Sequence, residues 1–589
     1  MQKSSHHQDP YQDRYQNQSF LFLFVRVRLS KPRGSQHFLT LPRQRNRRLN
    51  KWLTGFGTSA IAVFCLLGFT GEFGWTQTSQ DIELEVGVVQ RFGRQPTDQI
   101  ILKATEGDRL TLTFLAGDRT PQTVQTPEVT LKISQQPLTE SILEERLVLS
   151  NHRSFENAEA KANKLRQKGL QVEIAQPGSW QVWAKREVYQ TPLLRRLLLV
   201  SLPAEIAKTA FLDTGLQNQQ LTVNWQLNGY SYHRRELEIT AGKGLIQVSR
   251  SKNDRDRRLY PGKLRIQPNA HGNFTLVNQV ALETYLRGVV PHEVGADAPN
   301  AALEAQAIIA RTYVLRNLRR FAVDDYQICA DTQCQVYKGI GESWEPADQA
   351  IAATAGKVLT YNNELVDALY SSTTGGITAP FSDMWDGSDR PYLQAVIDSV
   401  SNIWDLSKMN LSSEENFRKF ISLQKGFNEE DWDGLFRWRE TSLMAKLNQD
   451  LRKYLERQKH PFVNFKTIQL LEVVERSPAG RAIAIKVTTD MGRLLLRKDE
   501  ILQAFYAPLS TLFYLEPIYG ADKTLKGYVF VGGGFGHGVG LSQTGSHRLA
   551  DLGWSSDRIL KFYYPGSELQ PINDGIIFWQ DPDPQSSNP

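Results

Sequence analysis

Apolar and polar residues recur with two different periods along this chain, and each change of period marks a new element. Ile82, Leu84, Val86 and Val88, then Leu110, Leu112 and Phe114, put every second side chain on one face, as half-buried strands require. Residues 147–150 form another short apolar run. From Phe155 the period lengthens. Ala158, Ala162 and Leu165 share one side of a helix predicted over 155–168, and Gly169 stops it. Strands near 172–175 and 180–188 complete a β-α-β-β order. Strand patterns return at 221–225, 245–248 and 264–266. Residues 286–290 are short and mostly apolar and predict a further strand. Pro291, Gly295 and Pro299 punctuate the loop behind it, and Asn300 is placed to cap an Ala-rich helix running through Arg316. Glu293 therefore stands alone at a strand-to-helix corner, where rigid neighbours can fix a side chain that a loop leaves reachable. Residues 412–458 are charge-rich with helical period, anchored by Trp432, Phe436 and Trp438, and strands are predicted near 466–474 and 483–488. The pattern predicts an α+β chain with an inserted helical lobe.

Composition changes the picture at the N-terminus. The 589 residues, 40% hydrophobic and 22% charged, are enough for two or three domains with proper cores. The net charge of +6 comes mainly from Arg14, Arg26, Arg28, Lys31, Arg33, Arg43, Arg45, Arg47, Arg48 and Lys51, in a stretch from 14 to 71 without an acid. This local excess is no argument for nucleic-acid binding. Residues 52–69 that follow are uncharged and apolar or small, close to the ~20 residues of a spanning helix. Positive residues before them and Glu72 after them orient the remainder outward. A secretory signal peptide is the alternative, and both export the body. Phe64 ahead of Cys65 does not fit a lipoprotein cleavage site. Cys329 and Cys334 are the other cysteines, and in an oxidising compartment they suit a small disulfide loop or two free thiols.

Several motifs in fixed order carry a resemblance. Tyr285, Leu286, Gly288, Val289, Val290 and Glu293 precede Gln306, Ala307, Ala310, Arg311, Thr312 and Tyr313. Then come Cys334-Gln335-Val336-Tyr337 with Gly339, the run ALYSSTTGG from Ala368 to Gly376, Trp385, and Pro391-Tyr392-Leu393. GGGFGHGVGLSQTGSHRLADLGW from Gly532 to Trp554 leads to Tyr563-Tyr564-Pro565-Gly566. Together these resemble the SpoIID/LytB family of cell-wall proteins, stage II sporulation protein D-like and amidase-enhancer proteins, over roughly residues 225–570. The chain departs from the family at Val294-Gly295, where Met-Pro is frequent, and at Ala298-Pro299. The β-α-β-β unit with FENAEAKANKLRQKGLQVEI similarly resembles half or more of a SPOR domain, a module associated with glycan strands lacking stem peptides. On that resemblance Trp180 and Trp183 are candidate sugar-stacking residues, although strand alternation turns them to opposite faces.

The resemblance implies a peptidoglycan lytic transglycosylase in which Glu293 is the single acid/base on denuded glycan strands. An ordinary glycosidase needs two carboxylates. The alternative is a non-catalytic glycan-binding protein that recruits or stimulates a cell-wall amidase. Substrate-binding candidates are His537, Ser371, Ser372, Thr373, Gly375, Gly376, Gln543 and Arg311. Glu304 is better explained as a first-turn acid that complements the helix dipole, and His547 as packing or surface. The Gly532–Gly540 loop lacks a following Lys-Ser/Thr, so its glycines point to close backbone approach to a sugar rather than to nucleotide binding. No cofactor is expected. Zinc, which some relatives of the family are reported to hold near this place, ranks below a disulfide for Cys329 and Cys334, because His460 is the only histidine between His292 and His537. The expected organisation is a basic tail (1–51), an anchor in the cytoplasmic membrane or signal (52–72), a β-rich region (76–220) with the SPOR-like unit at about 145–205, a SpoIID-like domain (221–575) and a disordered tail (576–589), with the body in the periplasm or secreted.

Overall fold

In the computed structural model the described residues are 82–251, 257–342, 344–432 and 434–579. The expected tail and membrane segment lie outside them. Among the described residues no helix is long and apolar enough to cross a membrane. Strands β1 (Glu83–Phe92), β2 (Gln99–Ala104), β3 (Leu110–Leu115), β4 (Pro121–Thr126) and the long β5 (Glu128–His152) open the chain. As their alternation requires, Leu84, Val86, Leu110, Leu112 and Phe114 are buried. In β1 a register shift between Gly87 and Val89 turns Val89 inward in place of Val88.

The segment between β5 and its partner is a complete unit. It runs through α1 (Phe155–Arg166), β6 (Val172–Ala175), β7 (Trp180–Ala184) and α2 (Pro192–Ser201) to β8 (Phe211–Leu227). Its strands lie in the order β8-β5-β7-β6, all antiparallel. The sequence pattern shows β-α-β-β; the structure adds the second helix and the fourth strand. On one face Trp180 packs edge-on to Phe155 and against Phe321, both at 5.2 Å. On the other, Trp183 joins Val148 and Ala175 against Ala270 and Val323. The tryptophans do face opposite sides, but with 3% and 1% exposure neither is free to stack on a sugar.

The chain continues through β9 (Tyr230–Arg234), β10 (Leu237–Ala241), β11 (Leu245–Ser249), β12 (Arg258–Pro261), β13 (Lys263–Pro268) and β14 (Phe274–Ala281). These strands complete two sheets begun by β1–β5. One has the order β15-β1-β14-β13-β10-β3-β4, where β15 is Ile328–Cys329, and the other contains β12-β11-β2-β5. Both sheets cross the boundary expected at 220/221, because β1 pairs with β14 and β2 with β11. Residues 83–281 therefore share one core.

Behind β14 comes α3 (Leu282–Arg287), a helical turn α4 (Val290–Glu293) and the central helix α5 (Asn300–Arg316). The stretch 286–290, expected as a strand, instead ends α3, turns at Gly288 and Val289 and enters α4. Leu282, Tyr285, Leu286, Val289 and Val290 are all buried, a period near 3.6 that the five-residue window alone does not reveal. Pro299, not Asn300, is the N-cap of α5. The lobe expected to be helical over 412–458 is part of a larger mixed unit of helices and strands. Helices Glu414–Ser422 and Met444–Arg457 pack with two three-stranded antiparallel sheets, built from 437–443, 513–519 and 525–533 and from 468–476, 482–489 and 492–497. Phe436 and Trp438 are buried anchors as expected; Trp432 is half-buried. Residues 576–579, expected to begin a disordered tail, pack instead: Ile576 is buried and the Leu365 N–H donates to the Ile577 carbonyl at 2.9 Å.

Candidate active site

Glu293 ends α4, where Gly295, with φ of 87°, breaks the helical path before α5. Its Oε1 accepts the Val336 N–H at 2.7 Å. The Tyr370 hydroxyl and the Gln543 side chain also hydrogen-bond the carboxylate. Each partner is held in turn. Gln335 donates to the Tyr370 oxygen at 3.4 Å and accepts from the Tyr285 hydroxyl at 3.2 Å, while Gln543 donates to Gln306 at 3.5 Å. Burial opposes ionisation and outweighs these donors, so the Glu293 carboxyl is pushed up from 4.5 to about 7. None of the groups that set this value is a second carboxylate.

The cysteines close a disulfide with Cα atoms 5.6 Å apart. Cys329 belongs to β15 at the edge of the first sheet, and Cys334 directly precedes Gln335 and Val336. The bridge thereby ties the donor to Glu293 to the sheet, and both thiols are used. Among the described residues no His/Cys/Asp/Glu group could hold a metal ion.

The other candidates divide. Gln543 reaches Glu293. Ser371 and Ser372 directly follow Tyr370, and their hydroxyls have no protein partner, as is true of Gln306 Nε2 and His292 Nε2. His537 acts as a bracket: its Nδ1 accepts the Val539 N–H at 3.0 Å, its other nitrogen bonds the Tyr370 carbonyl, and its ring lies 5.2 Å from Trp385. Burial pushes its pKa down to about 4, which keeps it neutral. His547 fastens its helix to the residue after Glu293, with Nε2 3.0 Å from the Val294 carbonyl. Arg311 is not a groove residue. Its guanidinium is buried, bonds both oxygens of Glu283 at 2.7 Å and donates to the Lys357 carbonyl. Glu304 accepts from Asn300 and Ser556, linking helices.

Thr373, Gly375 and Gly376 are also buried, not exposed in a groove. Gly375 has φ of 75°, and a Cβ there would meet the Gly533 carbonyl carbon at 2.6 Å. Gly540, at φ of 76°, would meet the Leu369 carbonyl at 1.9 Å. The glycine motifs thus permit close approach of two protein backbones rather than of a sugar. What fastens this splice is Glu429, from the lobe, which sequence reasoning missed. Its carboxylate accepts from Thr374 N at 2.5 Å, Gly376 N at 2.7 Å, Thr374 Oγ1 at 3.0 Å and the Ser542 hydroxyl. Asp398 lies against it and accepts from Asn428 and Tyr563, both at 2.8 Å. Burial, then the Glu429 charge, holds the Asp398 carboxyl far above the usual range. Nothing in the local sequence around Glu429 signals this role.

A single carboxylic acid, poised near neutrality in a polar nest on an α+β scaffold, is an arrangement able to carry acid/base chemistry. The chain is similar to the SpoIID/LytB family, by one family model and by its curated relatives. The family model described as Stage II sporulation protein matches residues 270–361, which contain Glu293, and one described as a domain of unknown function (DUF8618) matches 379–540, the lobe. The Amidase enhancer of Bacillus subtilis (strain 168) is 27% identical over 405 residues, covering 62% of this chain. This chain spans about half of that relative's length, 53%. Stage II sporulation protein D of the same organism is 28% identical over 309 residues, 50% of this chain and 75% of its own. An uncharacterized protein of Brachyspira hyodysenteriae is 26% identical over 318 residues, 53% of this chain and 73% of its own.

Proposed function

We propose that this protein is a peptidoglycan lytic transglycosylase that cuts denuded glycan strands with Glu293 as its one acid/base. The observation that carries this reading is a lone carboxyl with a pKa of about 7, half acid and half base at neutral pH. Protonated Glu293 gives its proton to the glycosidic oxygen as the C1–O4 bond breaks. The resulting carboxylate then takes the proton of the muramyl C6 hydroxyl as O6 bonds C1, which closes a 1,6-anhydro ring and restores the acid without water. The Val336 N–H and the Tyr370 hydroxyl fix the carboxyl, and the unpartnered Ser371, Ser372 and Gln306 groups supply hydrogen bonds for a polar substrate. The disulfide supports an oxidising compartment. With the basic tail and apolar segment, it favours an envelope protein whose body lies outside the cytoplasmic membrane.

Digestion of peptide-free strands, followed by mass spectrometry, tests this. Wild type gives anhydro-ended sugars, and folded Glu293→Gln gives a rate lower by roughly 10²- to 10⁴-fold. Strands left intact by both, despite retained glycan binding, would refute the catalytic reading. They would favour a second one, a non-catalytic protein that stimulates a cell-wall amidase, which the name of the Amidase enhancer relative supports.

A further inference from the structure

Helix α2, PLLRRLLLVS, turns most of its apolar residues to the outside. Arg195 Nε and Arg196 Nη2 turn to the protein and donate to the two oxygens of buried Glu145 on β5, at 3.1 and 2.7 Å. Leu198 and Leu199 pack partly against the core, but the helix's other apolar residues face away: Leu193 is 66% exposed, Leu194 43%, Leu197 58% and Val200 86%. A surface helix normally does the reverse. The orientation is imposed, because rolling the leucines inward would strand the Glu145 carboxylate without its arginines, at a high desolvation cost. The patch extends past the helix. Leu143 and Leu216 are cross-strand partners on β5 and β8, both exposed, and two-residue alternation puts Leu143 on the same side of the ribbon as Glu145.

We infer that this face rests on the surface of a lipid bilayer. Its side chains are leucine and valine, types under-represented among the anchors of protein interfaces, where Trp, Tyr and Arg dominate. Residues 188–201 contain two arginines and no acid, and the Arg196 side chain is 51% exposed, which suits an anionic headgroup layer. Chain length places a bilayer within reach, if residues 52–72 are a membrane segment as their sequence implies. The apolar stretch ends at Phe69 and β1 starts at Glu83. The residues between them span at most about 45 Å when fully extended. Seating α2 on the membrane holds the body and its site at a set orientation above the bilayer.

The test uses the full chain, with Cys65→Ser, reconstituted in phosphatidylglycerol–phosphatidylethanolamine vesicles. A nitroxide is placed at Leu197→Cys or Val200→Cys, with Glu415→Cys on the exposed lobe as reference. The expected result is high collisional access to oxygen and access to a water-soluble nickel chelate several-fold below the reference. Nickel access equal to the reference overturns the proposal. So does low access to both with spin–spin broadening, which would mean a second copy, or without it, which would mean coverage by another segment of this chain. A chain that does not float with the vesicles overturns it as well.

Discussion

At Glu293 burial and hydrogen bonding pull in opposite directions, and the outcome sets a pH dependence that can be measured. Because burial raises the pKa to about 7, the folded protein holds this proton more tightly than the unfolded chain does, whose value is near 4.5. Below the lower value the carboxyl costs no stability; the cost grows as pH rises between the two and is complete above the higher. Glu293→Gln is therefore expected to stabilise the protein above pH 7, by up to about 3 kcal/mol, and to have no such effect near pH 4; thermal unfolding across that range checks it. Tyr370→Phe removes a donor to the carboxylate, so the alkaline limb of the cleavage rate should move to higher pH. An unmoved limb would mean that Tyr370 does not act on Glu293. The Asp398–Glu429 pair gives a contrasting test by chemical unfolding. Since its raised pKa keeps Asp398 protonated, Asp398→Asn keeps its shape and donor and should cost under about 1 kcal/mol. Glu429→Gln replaces one acceptor oxygen by a donor in front of backbone N–H groups and should cost about 3 kcal/mol. Glu293 was a candidate in the sequence because a lone acid sits between punctuated elements, and the structure adds its burial and its raised pKa. Glu429 was not, because its partners Thr374, Gly376 and Ser542 come from distant segments and meet it only in the fold.

Among the elements, those with long and unmixed periods were readable: β1, β3, α1 and α5. The stretch 286–290 was misread because a five-residue apolar window fits both periods, and only Leu282 and Tyr285 upstream decide for a helix. Arg311 shows the same limit for a side chain. Its place on α5 is evident from sequence, but its partner Glu283 on α3 decides its role. Arg311→Ala should lower stability by about 3 kcal/mol, because the pair joins two helices and is partly buried, while activity per folded molecule persists. The disulfide behaves oppositely. It closes a short loop, so its loss should cost only about 2 kcal/mol. The Val336 N–H that it steadies touches the Glu293 carboxyl, however. Reduction, or Cys329→Ser with Cys334→Ser, is therefore expected to slow cleavage more than it lowers the melting temperature. An equal rate in the reduced, folded protein would show that the sheet holds Val336 without the bridge.

At the scale of the molecule, the inserted β-α-β-β-α-β unit is welded to the domain that carries Glu293. Arg319 pairs with Glu159, and Arg320 with Glu156, across the junction. Trp183 fills the opposite face of the unit's sheet between Arg146 and Arg186 and against Ala270. Sequence patterning exposed the unit's first elements but not this weld, since alternation shows which side a tryptophan faces and not what covers it. The boundary expected at 220/221 failed for a related reason: the pairing of β1 with β14 is a contact over long sequence separation that no local pattern reports. The weld makes a prediction that separates a structural Trp183 from a sugar-stacking one. Trp183→Ala should destabilise the whole protein by about 3–5 kcal/mol, in the range of buried aromatic deletions. Unfolding should remain a single transition, because the unit shares its core with the sheets beneath Glu293. Glycan affinity below the melting point should be unchanged. An early separate transition would show that the unit folds as an independent module, and a selective loss of glycan binding in a fully folded variant would return Trp183 to the binding surface.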